Sequence, residues 1–184
     1  MACGEVEVSE QTGTVFWITG LAGAGKTTVA QEFMSAMQLE GRRVVSLDGD
    51  HLRKVLGETQ DYSMENRRKL SLTYGRLAKL IADQGFDVVC ATISMFHECR
   101  RQNREAIENY FEVYLNVPEH VLRQRNKKNL YADNATQDRD DAVLPSALME
   151  SPKHPDVTIV NDGTESPCQI SQRIISQWKA VNNL

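Results

Sequence analysis

The sequence predicts an α/β fold in which a parallel sheet of about five strands carries helices on both faces. Short apolar runs alternate with longer helix-like stretches, which is the order that parallel β-α-β units produce. Most of the apolar runs are near-continuous rather than alternating, as is typical of strands buried on both faces. A glycine-rich loop follows the first run. These features indicate a three-layer domain with its functional residues at the carboxyl ends of the strands.

The strand predictions rest on β-rich runs bounded by turn residues, and the helix predictions rest on the stretches between them. The predicted strands are residues 15–19, 43–47, 87–93, 111–117 and 157–161. The predicted helices are residues 28–39, 64–84, 98–109, 119–124 and 166–181. The strand-helix alternation therefore extends over nearly the whole chain.

Length, composition and charge indicate one globular domain. With 184 residues, of which 41% are hydrophobic, the chain can bury a substantial core. We expect residues 1–13 to form a flexible N-terminal arm and residues 14–184 a single domain. The net charge of −4, with both signs interleaved, argues against a nucleic-acid surface. No apolar run is long enough to span a membrane and no secretory signal is evident, so we expect a cytoplasmic protein.

The glycine-rich loop fits a phosphate-binding pattern in full. In the stretch TVFWITGLAGAGKTT, Gly20, Gly25, Lys26 and Thr27 occupy every fixed position of G-x-x-x-x-G-K-[ST]. Glycines let the backbone curl around a polyphosphate, and the helix that follows directs its positive end there. The lysine can reach the β and γ phosphates, and the threonine hydroxyl can complete the Mg²⁺ shell. The loop predicts a P-loop NTPase-type fold that binds a nucleotide through Gly20, Ala22, Gly23, Ala24, Gly25, Lys26, Thr27 and Thr28.

The second predicted strand runs into an aspartate pair, Asp48-Gly49-Asp50. Carboxylates at a strand end could hold Mg²⁺ or accept a proton from an attacking hydroxyl. Arg53 follows Asp50 by three residues, so one turn of a starting helix would direct both at one site. An Asp-Gly turn followed by a helix N-cap is the alternative. The neighbouring phosphate loop favours the functional interpretation.

Two further strand ends carry polar residues. The third strand leads to Ser94 and His97, and a lone histidine in this position is more often structural than functional. The fourth leads to a basic stretch, RQRNKKNLY at residues 123–131. These cations could form a solvated helix end or a lid that closes on phosphates and excludes water, and we favour the lid.

These segments, in this order and at this spacing, resemble those of adenylylsulfate (APS) kinases. The resemblance rests on GLAGAGKTT, LDGDHLR, the TIS-F segment and RNKKNLY, and it covers about residues 15–162. It implies a P-loop kinase, commonly a homodimer, that uses ATP with Mg²⁺. In that family the γ-phosphate passes to the ribose 3′-hydroxyl of a nucleotide whose 5′ end carries a phosphosulfate anhydride.

The resemblance also implies roles for individual residues. Lys26 matches the phosphate-binding lysine, Thr27 and Asp48 match the Mg²⁺ residues, and Asp50 matches the base. Asp48, Asp50 and Lys26 are therefore the predicted catalytic residues. The residues implied to contact the acceptor are Asp50, Arg53, Tyr62, Arg67, Ile93, Ser94, Lys128 and Leu130, and Arg125 and Lys128 are implied to contact ATP from the lid.

Departures from the family pattern cluster on the acceptor side. Residues 69–73 read KLSLT where the family has E-N-I-R-R, Met95 replaces a proline, and the lid has Asn126 and Asn129 for Asp and Gly. The donor half is intact and the acceptor half is altered. APS is therefore the first acceptor to consider, and a cytidine diphosphoramidate is an alternative. A small-metabolite kinase, such as one for gluconate or shikimate, and a non-catalytic nucleotide sensor remain open.

Overall fold

The computed structural model describes residues 11–57, 61–125 and 149–183. Within them lies a parallel sheet with the strand order β2-β3-β1-β4-β5. The strands are β1 (Val15–Thr19), β2 (Val44–Asp48), β3 (Asp87–Ala91), β4 (Tyr110–Asn116) and β5 (Val157–Val160). The predicted α/β fold class with its five-stranded parallel sheet is confirmed. No helix of the described ranges has the length and apolarity needed to cross a membrane.

The helices are α1 (Lys26–Leu39), α2 (Gly49–Val55), α3 (Met64–Ala82), α4 (His97–Ala106), α5 (Glu119–Arg125) and α6 (Pro167–Asn182). Five of these were predicted, with bounds that differ by up to three residues. The short helix α2 is absent from the predicted elements, because it depends on a cap more than on periodicity. The Asp48 carboxylate accepts hydrogen bonds from the backbone N–H groups of Asp50 and His51, at 3.0 and 3.3 Å, and so begins the helix.

Strand β3 ends earlier than predicted, at Ala91 rather than residue 93. The chain leaves the sheet because Ser94 adopts a φ of 30° and its hydroxyl lies 2.8 Å from the Thr92 hydroxyl. The Thr19 hydroxyl also bonds the Ile93 carbonyl oxygen, at 2.5 Å. The Thr92 N–H still bonds the Ile18 carbonyl oxygen of β1 at 3.0 Å. The side-chain contacts beyond it give residues 92–96 a backbone conformation that the apolar pattern does not predict.

The core lies on both faces of the sheet, which explains the near-continuous apolar runs. Phe16 packs on one face, with its ring centroid 4.7 Å from that of Phe33 and 5.2 Å from that of Trp178. Its neighbour Trp17 is equally buried on the other face, in a cluster that includes Tyr74. Successive strand residues point to opposite faces, so both must be apolar when helices cover both.

The buried Asp87, at the start of β3, is hydrogen-bonded to residues that precede β1 and β2. Its carboxylate accepts from the Thr14 N–H at 2.9 Å and from the Arg42 guanidinium at 2.5 and 2.8 Å, and the residue is 4% exposed. We expect Asp87→Ala to lower the free energy of unfolding by about 3 kcal/mol, because it leaves a buried N–H and a guanidinium without their partner. Urea unfolding followed by circular dichroism measures this loss.

The control is Asp83→Ala, which breaks the exposed Lys79–Asp83 ion pair on α3. Exposed pairs contribute under about 1 kcal/mol, so this variant should unfold near the wild-type denaturant concentration. Equal unfolding midpoints for the two variants would contradict the importance assigned to Asp87.

Candidate functional site

The glycine-rich loop lies between β1 and α1, and the structure gives it the conformation that a phosphate cradle requires. Gly23 and Gly25 have φ values of 78° and 87°, which residues other than glycine rarely adopt. Helix α1 begins immediately after the loop, at Lys26. Backbone N–H groups and the positive end of α1 therefore surround the same space.

Lys26 and Thr27 lie at the start of α1 and reach two different elements. The Lys26 Nζ donates to the carbonyl oxygens of Gly20 and Leu21, both at 2.9 Å, so the ammonium lies across the loop. The Thr27 hydroxyl donates to Oδ2 of Asp48 at 2.8 Å. This second contact joins the phosphate loop to the carboxyl end of β2.

The Thr27–Asp48 contact brings together oxygen ligands suited to a divalent cation. Among the residues that the structure describes, no group of three or more His, Cys, Asp or Glu side chains is placed to hold a metal. A hydroxyl and one carboxylate suit an ion that takes its remaining ligands from a nucleotide and from water. The donor set therefore fits a metal that arrives with the nucleotide.

A cavity of about 970 Å³ connects the phosphate loop with the predicted acceptor residues. Lys26 and Asp50 line it, and so do Arg53, Tyr62 and Arg67. Asp50 is exposed in the first turn of α2, and Arg53 follows one turn later. The structure thus brings most of the predicted donor and acceptor residues of the described ranges to one space at the carboxyl edge of the sheet, whereas Gly20 and Ala24 do not line it.

Two guanidinium groups lie close to the ring of Tyr62. Arg53 and Arg67 have their Cζ atoms 4.7 and 5.2 Å from the centroid of the Tyr62 ring. Arg53 also donates to the Asp61 carbonyl oxygen at 3.0 Å, and Arg67 to the Tyr62 carbonyl oxygen at 2.8 Å. Burial, with Arg53 nearby, lowers the pKa of Arg67, which still remains cationic at neutral pH. This cluster offers an anion two cations around an aromatic surface.

The segment after β3 forms another wall of the cavity, to which Ile93 and Ser94 both contribute. His97 starts α4, and its contacts are structural. Its ring Nδ1 lies 2.6 Å from Arg100 Nη2, and its backbone N–H donates to the Glu150 carboxylate. Burial and the Arg100 charge lower the pKa of His97, which favours the neutral ring. The described contacts accord with the structural interpretation of this histidine.

Of the predicted lid, residues 123–131, the structure describes only residues 123–125. Arg125 ends α5 and lines the cavity, and it donates to the backbone and side-chain oxygens of Asn161, each at 3.2 Å. Lys128 and Leu130 lie outside the described residues, as does the rest of the basic stretch.

Comparisons with known proteins decide the family. A family model described as adenylylsulphate kinase matches residues 12–160. The chain belongs to this family. It is 37% identical over 139 residues to a cytidine diphosphoramidate kinase of Campylobacter jejuni, covering 76% of this chain and 81% of that one. It is also 37% identical over 156 residues to an adenylyl-sulfate kinase of Halothermothrix orenii, covering 83% and 82%.

A solved structure gives the same picture. The structure of the Mycobacterium tuberculosis APS kinase CysC in complex with AMPPNP and APS superposes with a TM-score of 0.81 at 28% identity, covering 91% of this chain and 98% of that one. The resemblance to APS kinases that the sequence motifs indicated is confirmed. The chain is an ATP-dependent phosphotransferase of the APS kinase type.

Sequence reasoning missed three features of this kinase's cavity. Asn161 follows β5, is buried, and donates from Nδ2 to the Ala24 carbonyl oxygen at 2.9 Å. Tyr74 lines the cavity from α3, and burial raises the pKa of its hydroxyl to about 12, so it stays protonated. Residues 163–167 add a wall beside the phosphate loop. No motif marks these residues; the rule that ligands gather at strand ends could have pointed only to Asn161.

Proposed function

We propose that the chain transfers the γ-phosphate of ATP to the ribose 3′-hydroxyl of a 5′-nucleotidyl anhydride, with APS as the acceptor. The observation that carries the proposal is that Lys26 and Asp50 line the same cavity as Arg53, Tyr62 and Arg67. A donor and an acceptor can occupy such a space together with their reacting groups adjacent, which is the main requirement of phosphoryl transfer.

On the donor side, backbone N–H groups of the phosphate loop and of the start of α1 bind the phosphates, with Arg125 contributing a cation beside them. The nucleotide-binding residues are Gly20, Ala22, Gly23, Ala24, Gly25, Lys26, Thr27 and Thr28, of which Ala24 has its N–H bonded to the Leu21 carbonyl oxygen at 3.1 Å. Lys26 exchanges its bonds to the loop carbonyls for the β and γ phosphates and stabilises the charge on the transferring group. Thr27 and Asp48 would hold Mg²⁺, whose positive charge offsets that of the phosphate oxygens. The Thr27–Asp48 hydrogen bond of 2.8 Å supports this pairing.

On the acceptor side, Asp50 accepts the proton of the ribose hydroxyl as that oxygen attacks phosphorus. Asp48 supports this role because its carboxylate bonds the Asp50 N–H and sets the start of α2. Arg53 and Arg67 bind the anionic part of the acceptor, and Tyr62 provides a surface for its base. Ile93 and Ser94 contact the acceptor from the opposite wall, and Lys128 and Leu130 are assigned there from the resemblance alone.

A cytidine diphosphoramidate is the second candidate acceptor, and the acceptor wall supports it. Leu70, which stands where the family has asparagine, lines the cavity and is 4% exposed. Met95, in place of the family proline, also lines the cavity. Leu70 thus removes a polar side chain from the wall, and Met95 replaces a rigid apolar residue with a flexible one. A relative named for the cytidine compound shares 37% identity. This acceptor would connect the kinase to capsule polysaccharide modification.

Steady-state rates with the two acceptors test the proposal. With saturating ATP and Mg²⁺, kcat/KM is measured for APS and for cytidine diphosphoramidate, with gluconate and shikimate as unrelated alcohols. We expect the highest value with APS and no turnover with the plain metabolites. A clearly higher kcat/KM with the cytidine compound would identify cytidine diphosphoramidate as the acceptor in place of APS. ATP consumption without any phosphorylated acceptor would point to a nucleotide sensor.

Asp48→Asn should raise the Mg²⁺ concentration for half-maximal rate by about tenfold or more, because a neutral amide is a poorer ligand than a carboxylate. Asparagine caps helices as well as aspartate does, so α2 and the melting temperature should be preserved. The measurement is a Mg²⁺ titration of the rate, with Glu32→Gln, an exposed carboxylate further along α1, as the control. An unchanged Mg²⁺ requirement in Asp48→Asn would remove this aspartate from the metal site.

We further propose that the protein acts in the cytoplasm as a homodimer, the assembly that its family resemblance implies. Its partners are then ATP and a nucleotide acceptor, with no nucleic acid or membrane. Sedimentation equilibrium at micromolar protein concentration distinguishes a dimer from a monomer or a larger assembly.

A further inference from the structure

Asn161 connects two parts of the ATP side of the cavity that are far apart in sequence. Its Nδ2 donates to the Ala24 carbonyl oxygen of the phosphate loop at 2.9 Å. Its Oδ1 accepts from Nη2 of Arg125 at 3.2 Å, and its backbone oxygen accepts from the same nitrogen at 3.2 Å. Its own N–H is bonded to the Asn116 carbonyl oxygen at 2.8 Å, so the residue is fixed to the sheet.

The chemistry of the partners leaves this amide only one orientation. A carbonyl oxygen can only accept and a guanidinium can only donate, so Nδ2 must face Ala24 and Oδ1 must face Arg125. The side chain also packs closely on the loop, because a Cβ placed on Gly25 would lie 3.1 Å from Nδ2. Asn161 is 8% exposed, and its hydrogen bonds therefore form away from competing water.

We propose that Asn161 is a positioning residue that couples Arg125 to the phosphate loop and holds both ready for the nucleotide. An arginine at the end of α5 has several rotamers, and a bond to a buried amide restricts it to the side facing the loop. The same amide restrains the loop carbonyl at Ala24, and with it the neighbouring N–H groups. This inference rests on the assignment of the loop and Arg125 to ATP, and it adds a residue that need not touch ATP at all.

A double-mutant cycle tests the coupling. Affinity for a non-hydrolysable ATP analogue with Mg²⁺ is measured by calorimetry, without acceptor, for wild type, Asn161→Ala, Arg125→Ala and the double variant. We expect Arg125→Ala to weaken binding about tenfold in the wild-type background and only about threefold in the Asn161→Ala background. Some effect remains because Asn161→Ala leaves Arg125 its bonds to the Asn161 backbone oxygen at 3.2 Å and to the Gly23 carbonyl oxygen at 3.5 Å. Equal losses in both backgrounds would overturn the proposal, because the two side chains would then act independently.

Two further variants keep the result interpretable. Arg101→Ala removes an exposed guanidinium on α4 that pairs with Glu105 and does not line the cavity, and it should leave the affinity unchanged. Asn161→Asp keeps the acceptor for Arg125 but places an oxygen against the Ala24 carbonyl. It should retain the coupling to Arg125 while weakening nucleotide binding, so Arg125→Ala should still weaken binding about tenfold in this background. If Asn161→Ala does not fold, Asn161→Leu, which has a similar volume but no acceptor for Arg125, replaces it in the cycle.

Steady-state kinetics distinguish a role of Asn161 in positioning the ATP-binding residues from a general loss of activity. The KM for ATP should rise in Asn161→Ala, whereas kcat and the acceptor KM should change by less than about twofold. A fall in kcat with an unchanged KM for ATP would overturn the proposal. Failure of the wild-type protein to bind the ATP analogue would contradict the proposed function itself, whereas wild-type binding with additive losses would contradict only the role of Asn161.

Discussion

Asp50→Asn is expected to lower kcat by about 10²- to 10⁴-fold while the KM for ATP changes by less than about twofold. Asparagine has nearly the same shape as aspartate but cannot accept the proton of the ribose hydroxyl. Asp50 is exposed to the cavity in the first turn of α2, and its own N–H bonds Asp48, so the substitution should not disturb the helix. The reaction is followed as ADP release under saturating ATP and acceptor.

The matched control is Asp83→Asn, which alters an exposed carboxylate at the end of α3, away from the cavity. It should turn over at the wild-type rate. If Asp50→Asn turned over normally with its fold intact, the base would have to be sought elsewhere in the cavity. If Asp50→Asn lost activity only through a higher acceptor KM, Asp50 would be a binding residue.

Lys26→Met is expected to lower kcat/KM for ATP by about 10³-fold, because the transferring phosphate loses the cation that stabilises its developing charge. Methionine keeps most of the volume and the helix propensity of lysine. Lys26→Arg should recover little activity, because a planar guanidinium cannot occupy the position of a compact ammonium between the Gly20 and Leu21 carbonyls.

Two measurements support the interpretation of this variant. The melting temperature without nucleotide should fall only slightly, since two hydrogen bonds to loop carbonyls are lost, and the rise in melting temperature on adding Mg²⁺-ATP should be much smaller than in wild type. Lys79→Met, which removes an exposed lysine on α3, should behave like wild type in both respects. A normal thermal shift and a normal rate in Lys26→Met would contradict the assignment of the phosphate loop.

Much of the fold could be predicted because buried parallel strands appear in the sequence as near-continuous apolar runs. A strand such as β1 is covered on both faces, so each of its residues is apolar or small, and the run is visible without any long-range information. The missed helix α2 and the wrong end of β3 occur where side-chain hydrogen bonds determine the backbone conformation. The Asp48 cap begins the short helix α2, and the contacts of Thr92 and Ser94 end β3 early.

In the candidate site too, local motifs could be predicted and contacts between distant residues could not. The phosphate loop and the aspartate pair are short motifs, and their residues are neighbours along the chain. Arg53 could be singled out from its spacing after Asp50, whereas Tyr62 and Arg67 could be named only through the family resemblance. The placement of both guanidinium groups at one ring appeared only in three dimensions. Asn161 carries no motif and bonds a residue 137 positions away, so nothing in its neighbourhood marks its role.

By itself, the sequence determined the α/β class, the five-stranded sheet and the family, and it predicted the ATP half of the site, because burial and phosphate binding impose local patterns of residue type. The tertiary structure alone decided which distant side chains meet: Thr27 with Asp48, Tyr62 with Arg53 and Arg67, and Asn161 with both Ala24 and Arg125. A hydrogen bond requires an approach of about 3 Å and a definite angle. Such precision depends on how strands and helices pack, and residue type and spacing along the chain do not contain it.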